Sequence, residues 1–293
     1  MAQAEALARA KINLFLHVGP VAEDGYHPLA SLVAFADLGD RLTAEPADGL
    51  SLRLTGPFAA GLGDEDDNLV LRALRALGEA AGRELPLSLT LEKRLPVAAG
   101  LGGGSSDAGA ALKLARDLFA LPFDDDRLAE VAGVVGADGP MCLHARAAWA
   151  GGRGDRLAFE PRLPPLPVVL VNPGVPSPTG SVYRAYDAGV SAQADHPDPP
   201  EDWSVAAVID WLAAQRNDLQ GPAVMFQPSV GEALHAAEGL QGARLVRMSG
   251  SGATVFALFD GQEQARAAAS GLSRRRPEWW VEAAVLNGPQ SER

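Results

Sequence analysis

The stretch AKINLFLHVG, residues 10–19, alternates in its core, with Ile12, Leu14 and Leu16 set against Asn13, Phe15 and His17. A period of two sends successive side chains to opposite faces, so this pattern predicts a half-buried strand. Gly19-Pro20 stops it, and DGYHPL follows as a turn in which Asp24-Gly25 supplies the reversal. LASLVAFADLGDRLTAEPA (29–47) and LSLRLTG (50–56) read as further strands, expected to break at Gly39-Asp40 and Asp48-Gly49. The period then changes. Leu69, Leu71, Leu74 and Leu77 recur near helical spacing, with Asn68 placed as an N-cap and Gly82 as the stop. PLSLTLEKRLP (86–96) alternates again as a strand and leads straight into a glycine run. Beyond it, Ala108, Ala111, Leu112, Ala115, Leu118 and Phe119 fit a helix. The local order is therefore strand, glycine loop, helix.

A second helix pattern covers 123–136, with acids in the first turn where the helix dipole favours them. A proline-rich connector then leads to a buried-looking strand, Val168–Val171. A domain boundary is expected near Leu163, giving domains 1–162 and 163–293. AQADHPDPPED (192–202) reads as an exposed acidic loop; 205–220, 229–240 and 261–272 read as helices. LVRMSGSGATVFALF (245–259) reads as strand, glycine turn, strand. No internal repeat and no low-complexity tract interrupts this order.

Composition narrows the possibilities. The 293 residues are 47% hydrophobic and 21% charged, ordinary for a globular chain with a substantial core. A formal charge of −12 argues against a general electrostatic grip on nucleic acid. It leaves room for a phosphorylated ligand held by local N–H donors and a few cations. The single cysteine, Cys142, forms no intrachain disulfide and fits a cytoplasmic protein. The N-terminal apolar stretch is too short for a signal sequence, and no run reaches the ~20 apolar residues of a membrane span. No membrane partner is expected.

The glycine run carries the chemistry. A helix N-terminus offers backbone N–H groups without intrahelical partners and a partial positive charge. Glycines in front of it let the backbone close on an anion, because no Cβ intrudes. Gly100, Gly102, Gly103 and Gly104, followed by Ser105-Ser106 and a helix, therefore predict a phosphate cradle. No lysine follows the glycines, so it is not a P-loop, and the run ends in serine where the dinucleotide fingerprint needs glycine. Asp107 is awkward there, because a carboxylate in the first turns repels phosphate. It points sideways, caps the helix or faces a magnesium ion. Lys11 and Asn13 share one strand face; alone they would be a solvated pair. Asp138 in GADGP alone would be a turn, and SGSGA (249–253) alone a hairpin. Cys142, four residues past Asp138, reads as inert core. The histidines form no triad.

Together, P-x-x-x-G-L-G-x-x-S-S at Pro96–Ser106, the K-x-N strand and the SGSGA turn resemble the GHMP small-molecule kinases, in the same order and over nearly the whole chain. The resemblance implies an α+β fold of two domains, the first like domain 2 of ribosomal protein S5 and the second ferredoxin-like, with the active site in the cleft between them. It implies ATP as co-substrate together with Mg2+. Pro96, Val97, Ala98, Ala99, Gly100, Leu101, Gly102, Gly103, Gly104, Ser105 and Ser106 would surround the phosphates. Asp138 would be the base and Lys11 its neighbour. Ser105 would be a magnesium ligand, without a clear acidic partner. Asn68, Leu69, Lys93 and Val97 would meet the adenosine end.

AKINLFL, DGYHPL, RLPVAAGLGGGSSDAGAAL, GADGP and RMSGSGATVFALF together resemble one branch of that superfamily. Its acceptor is a methylerythritol carrying a cytidine diphosphate, phosphorylated on the 2-hydroxyl in the non-mevalonate isoprenoid route. On that resemblance Tyr26 and His27 match the cytosine site, Tyr183 its opposite aromatic wall where phenylalanine is frequent, Thr179 lies nearby, and Asn13 positions the methylerythritol. A monomer or weak homodimer is expected. The rival readings are a GHMP kinase for homoserine or a mevalonate-type acceptor, and a catalytically silent binding protein on the same fold. DGYHPL argues against the first, and the joint presence of Lys11 and Asp138 against the second.

Overall fold

The computed structural model describes residues 3–62, 68–189 and 192–288. These fall into two compact units. The first comprises Met1–Lys11, Leu38–Val97 and Gly102–Ala145; the second comprises Ile12–Asp37, Ala98–Leu101 and Arg146–Arg293. Strands β1 (Ala4–Val18) and β2 (Leu29–Pro46) each supply residues to both, so grouping by contact differs from a single cut at Leu163.

In the first unit, Arg41–Pro46 of β2 pairs antiparallel with β4 (Leu87–Glu92), and β3 (Ser51–Thr55) pairs parallel with β4. The alternation read from the sequence is literal in β4: Leu87, Leu89 and Leu91 are buried while Ser88, Thr90 and Glu92 are half-buried. Helices α1 (Leu69–Ala81), α2 (Gly103–Leu118) and α3 (Asp125–Val135) place Leu74, Leu77, Ala111, Leu112 and Leu128 in the same core cluster as those leucines. Full burial of each such leucine is worth about 1.5–3 kcal/mol. The Asn68 side chain accepts from Val70 N–H at 2.9 Å, and Gly82 closes α1 in the left-handed region with φ 64°. The acidic residues 64–67 lie outside the described residues.

Two expectations need correction here. β2 runs unbroken through Gly39-Asp40. A Cβ on Gly39 would lie 2.0 Å from the Ala8 carbonyl oxygen, so this glycine admits a close backbone neighbour and does not end the strand. Helix α2 begins at Gly103, ahead of the apolar pattern that starts at Ala108, because its first turn is made of the glycines and serines themselves.

In the second unit, Leu29–Val33 of β2 pairs antiparallel with β5 (Ala148–Gly152), and β5 with β6 (Arg156–Phe159). β7 (Leu166–Asn172) is buried along its whole length between β10 (Trp280–Leu286) and β9 (Val255–Leu258), with β8 (Leu245–Met248) beyond β9. Both faces of β7 are covered, hence its continuous apolar run. Helices α8 (Pro228–Glu238) and α9 (Gln262–Arg275) contribute Val230, Ala233, Ala265 and Leu272 to the same core as Val169, Val171 and Val255. The segment 192–202 holds no helix or strand and is largely exposed.

The helix expected over 205–220 is two: α6 (Val205–Ala213) and α7 (Gln220–Phe226). Between them the backbone turns to pair with β1. Leu16 N–H donates to Arg216 C=O and Asp218 N–H donates to Leu16 C=O, each at 2.9 Å. Those long-range bonds replace the continuing helix. α4 (Gly139–His144) and α5 (Thr179–Asp187) complete the elements. Among the described residues, no helix is long and apolar enough to cross a membrane.

Candidate active site

The glycine loop is held by its carbonyls. In the second unit, the carbonyls of Ala98, Ala99 and Gly100 accept from Ser177 N–H (3.4 Å), Thr254 N–H (3.1 Å) and the Ser249 hydroxyl (3.0 Å). In a trans peptide the carbonyl and the following N–H point in opposite directions. The N–H groups of Ala99, Gly100 and Leu101 therefore face away from these partners. Gly100 has φ 75°, and a Cβ there would stand 2.3 Å from the Ser249 carbonyl oxygen, so only glycine fits.

In the first unit, Gly102 caps α2 with φ 63°, and the first intrahelical bond is Ser106 N–H to Gly102 C=O at 2.9 Å. The N–H groups of Gly103, Gly104 and Ser105 precede that bond and have no intrahelical acceptor. They stand at the positive end of the helix dipole. A Cβ on Gly104 would sit 3.1 Å from Leu69 Cδ1, which brings Leu69 to the loop; Asn68 is engaged as the α1 cap.

Lys11 and Asp138 meet beside this helix end. Lys11 Nζ donates to Asp138 Oδ2 at 2.6 Å, with the Lys11 side chain buried and that of Asp138 39% exposed. Burial is the largest single influence and lowers the Lys11 pKa, but the charge and hydrogen bond of Asp138 together with the nearby Cys142 outweigh it and the net shift is upward. A Cβ on Gly102 would fall 3.1 Å from Lys11 Cβ and 3.3 Å from Cys142 Sγ, so Gly102, Lys11 and Cys142 are neighbours. Gly139 explains the GADGP motif, because a Cβ there would lie 2.2 Å from the Ala132 carbonyl oxygen. Without that close approach α4 could not lie against α3 and carry Asp138 to Lys11. Burial pushes the Cys142 thiol up to about 12, so it stays protonated and unreactive.

Asp107 points sideways into the protein. Its Oδ2 accepts from Lys93 Nζ at 2.7 Å, and the same ammonium pairs with Asp40 Oδ2. Lys93 is 3% exposed at its side chain, and its backbone N–H and C=O are bound to Thr55 and Phe58. Lys93 is thus committed within the first unit.

The second unit holds the other expected residues. Asn13 donates its backbone N–H to Ser249 Oγ (3.1 Å) and its amide to Ser31 Oγ (2.9 Å). Ser249 therefore ties Asn13 to the Gly100 carbonyl. Asn217 donates to the Met248 and Gly250 carbonyls, each at 2.8 Å, and steadies the same turn. His27 has both ring nitrogens facing oxygens, Nδ1 at 2.8 Å from Gly19 C=O and Nε2 at 3.2 Å from Asp187 Oδ1. Its ring lies 5.0 Å from that of Tyr183, centroid to centroid. Tyr26 is 55% exposed, with the Arg153 guanidinium 4.0 Å above its ring. Thr179 Oγ1 is 2.9 Å from Ser251 Oγ. Asp40, Arg153, Asn217 and the Ser249 bridge escaped the sequence reading; only the SGSGA string signalled any of them.

The glycine-cradled helix end with its lysine–aspartate pair belongs with the small-molecule kinases, and the comparisons agree. The family profiles for the GHMP kinases N terminal domain and the GHMP kinases C terminal domain match residues 68–146 and 205–278. The chain is a GHMP kinase with the two-domain α+β fold of that superfamily. It is 54% identical over 282 residues to the 4-diphosphocytidyl-2-C-methyl-D-erythritol kinase of Caulobacter vibrioides, covering 94% of this chain and 97% of that one. A crystal structure of 4-(cytidine 5'-diphospho)-2C-methyl-D-erythritol kinase superposes with TM-score 0.80 at 39% identity, over 98% of this chain and all of the other. Within the superfamily, the chain belongs to the 4-diphosphocytidyl-2-C-methyl-D-erythritol kinase family. The homoserine kinase of Cytophaga hutchinsonii shares the fold, with TM-score 0.69 at 17% identity over 97% of this chain and 94% of that one.

Proposed function

We propose that the chain transfers the γ-phosphoryl group of ATP to the 2-hydroxyl of 4-diphosphocytidyl-2-C-methyl-D-erythritol. The observation that carries the chemistry is the 2.6 Å contact between Lys11 Nζ and Asp138 Oδ2 beside the capping residue of α2. The acceptor is carried by near-full-length identity to kinases named for it.

In this reading the N–H groups from Ala99 to Ser105 hold the ATP phosphates, with Pro96 to Ser106 shaping the cradle. Asn68, Leu69 and Val97 line the adenosine end. Asp138 accepts the 2-hydroxyl proton as that oxygen attacks the γ-phosphorus. The bond from the γ-phosphorus to the bridging oxygen breaks, and ADP and the phosphate ester leave. The Lys11 ammonium, 2.6 Å from Asp138 Oδ2, orients that carboxylate and favours alkoxide character in the acceptor. Phosphoryl transfer needs chiefly such positioning and charge neutralisation. Tyr26, His27 and Tyr183 take the cytosine, Thr179 lies beside them, and Asn13 holds the methylerythritol.

Among the described residues there is no group of three acidic, histidine or cysteine side chains for a metal. Magnesium tolerates that, since it keeps waters and phosphate oxygens as ligands. The Ser105 hydroxyl, at the start of α2, is an oxygen donor of the right kind to hold it. Magnesium bound there with ATP would neutralise phosphate charge. We further propose that the enzyme works in the cytoplasm as a monomer or weak homodimer. Residues 1–162 would carry the phosphate loop and catalytic pair, and 163–293 would complete the fold. Turnover of the cytidylyl acceptor with ATP, beside homoserine and mevalonate, tests the reading.

A further inference from the structure

The turn that carries Tyr26 is fastened to a second turn by a cation that the reaction leaves unused. The two turns lie side by side in the second unit, because Leu29, at the start of β2, pairs with Gly152, at the end of β5. Arg153 follows Gly152, and its backbone N–H donates to Asp155 Oδ1 at 2.9 Å within the second turn. Arg153 Nη2 then reaches across and donates to Asp24 Oδ2 at 2.6 Å. The other oxygen of that carboxylate, Oδ1, accepts from Tyr26 N–H at 3.0 Å. Tyr26 C=O accepts from Ala22 N–H at 2.8 Å. The guanidinium held in this way lies over the Tyr26 ring, 4.0 Å from its centre.

These contacts do more for the ring than for the fold. The Arg153 and Asp24 side chains are 46% and 47% exposed, and ion pairs so exposed add little stability. The Tyr26 backbone is bound on both sides, so the freedom left is rotation of the side chain, and an exposed tyrosine has several staggered positions open to it. A planar guanidinium stacked on the ring favours one of them before any ligand arrives. It also occupies one face, so a base stacking on Tyr26 takes the opposite one. A ring already placed lowers the ordering cost of binding. We propose that Arg153, held by Asp24, is a positioning residue for the acceptor's cytosine: by covering one face of Tyr26 it fixes the ring and directs base stacking to the other. This rests on the reading that Tyr26 takes the cytosine.

A direct grip of Arg153 on the acceptor's diphosphate would be a different role. It would require the guanidinium to leave both Asp24 and Tyr26. The observed contacts favour positioning, since Asp24 balances the cation and the ring covers one side of it. The size of the effect is bounded by the contact that supplies it. One exposed cation–aromatic contact corresponds to roughly a two- to fivefold change in affinity.

The test is a double-mutant cycle on the full chain, read by steady-state kinetics with ATP and 4-diphosphocytidyl-2-C-methyl-D-erythritol and by melting curves. Arg153→Met raises KM for the cytidylyl acceptor roughly two- to fivefold, with kcat, KM for ATP and melting temperature near the parent. Asp24→Asn, which can still accept from Tyr26 N–H but releases Arg153, moves the same KM in the same direction. In a Tyr26→Ala background Arg153→Met leaves kcat/KM for the acceptor unchanged, because it acts only through that ring. An unchanged KM in Arg153→Met overturns the proposal, whether or not the melting temperature falls. An equal loss with and without the Tyr26 ring also overturns it, and makes Arg153 a direct contact of the acceptor. A Tyr26→Ala enzyme with parental KM instead overturns the cytosine reading of Tyr26, and this proposal with it.

Discussion

Lys11 Nζ stands 2.6 Å from Asp138 Oδ2, a contact between a buried lysine near the start of the chain and a half-exposed aspartate at the start of α4. The exposure of Asp138 leaves its carboxylate reachable while the lysine holds it in place. If Asp138 is the base, Asp138→Asn lowers kcat by about 10²–10⁴-fold, the usual worth of general-base catalysis, and leaves ADP affinity nearly unchanged. Steady-state kinetics with a melting curve checks this; near-normal turnover in a folded variant removes Asp138 from the role.

The raised Lys11 pKa gives that pair a pH signature. A lysine whose folded-state pKa is raised contributes stability that is complete below its unfolded value of 10.5 and is lost as pH rises through the folded value. Lys11→Met therefore costs the same melting temperature, relative to the parent, at every pH from about 7 to 9. A penalty that fades within that range would mean that Lys11 is not held as a cation.

Gly100 and Gly103 separate backbone need from open space. A Cβ on Gly100 meets a backbone oxygen at 2.3 Å and a positive φ, whereas one on Gly103 finds ordinary contacts from 3.5 Å outward. Gly100→Ala should cost about 1–3 kcal/mol and most of the nucleotide affinity, while Gly103→Ala folds with a near-parental melting temperature. Denaturant melts of the two variants decide this; equal stability would contradict the loop geometry.

Tyr26 is 55% exposed and so contributes little to the core. Tyr26→Ala should leave the melting temperature in place and raise KM for the cytidylyl acceptor roughly 5- to 150-fold, the worth of one base–aromatic stack of about 1–3 kcal/mol. Tyr26→Phe keeps the face and should cost little. An early-melting Tyr26→Ala with normal KM would make this residue a structural part of its turn.

Local patterns were legible wherever the cause was local. The Asn68 cap, the Gly82 stop and the alternation of β4 depend on neighbours a few residues away, and each appears as read. Gly39 was misread because its reason is the Ala8 backbone, distant in sequence. The helix pattern over 205–220 failed for the same kind of reason, since Leu16 claims the backbone of Arg216 and Asp218. β10 passed unnoticed, although its pairing with β7 makes it central to the second unit. At the site, the glycine run and the lysine and aspartate stood out by motif, yet the partner of Asp107 could not be known until Lys93 and Asp40 were placed beside it.

The most direct measurement of the central claim is kcat/KM with ATP for three alcohols, 4-diphosphocytidyl-2-C-methyl-D-erythritol, homoserine and mevalonate, with the phosphorylated position read by phosphorus NMR. The account predicts turnover of the cytidylyl acceptor at its 2-hydroxyl, preferred over the other two on the order of a hundredfold or more. Preference for homoserine or mevalonate, or no phosphoryl transfer to any of the three by folded, ADP-binding protein, would contradict it.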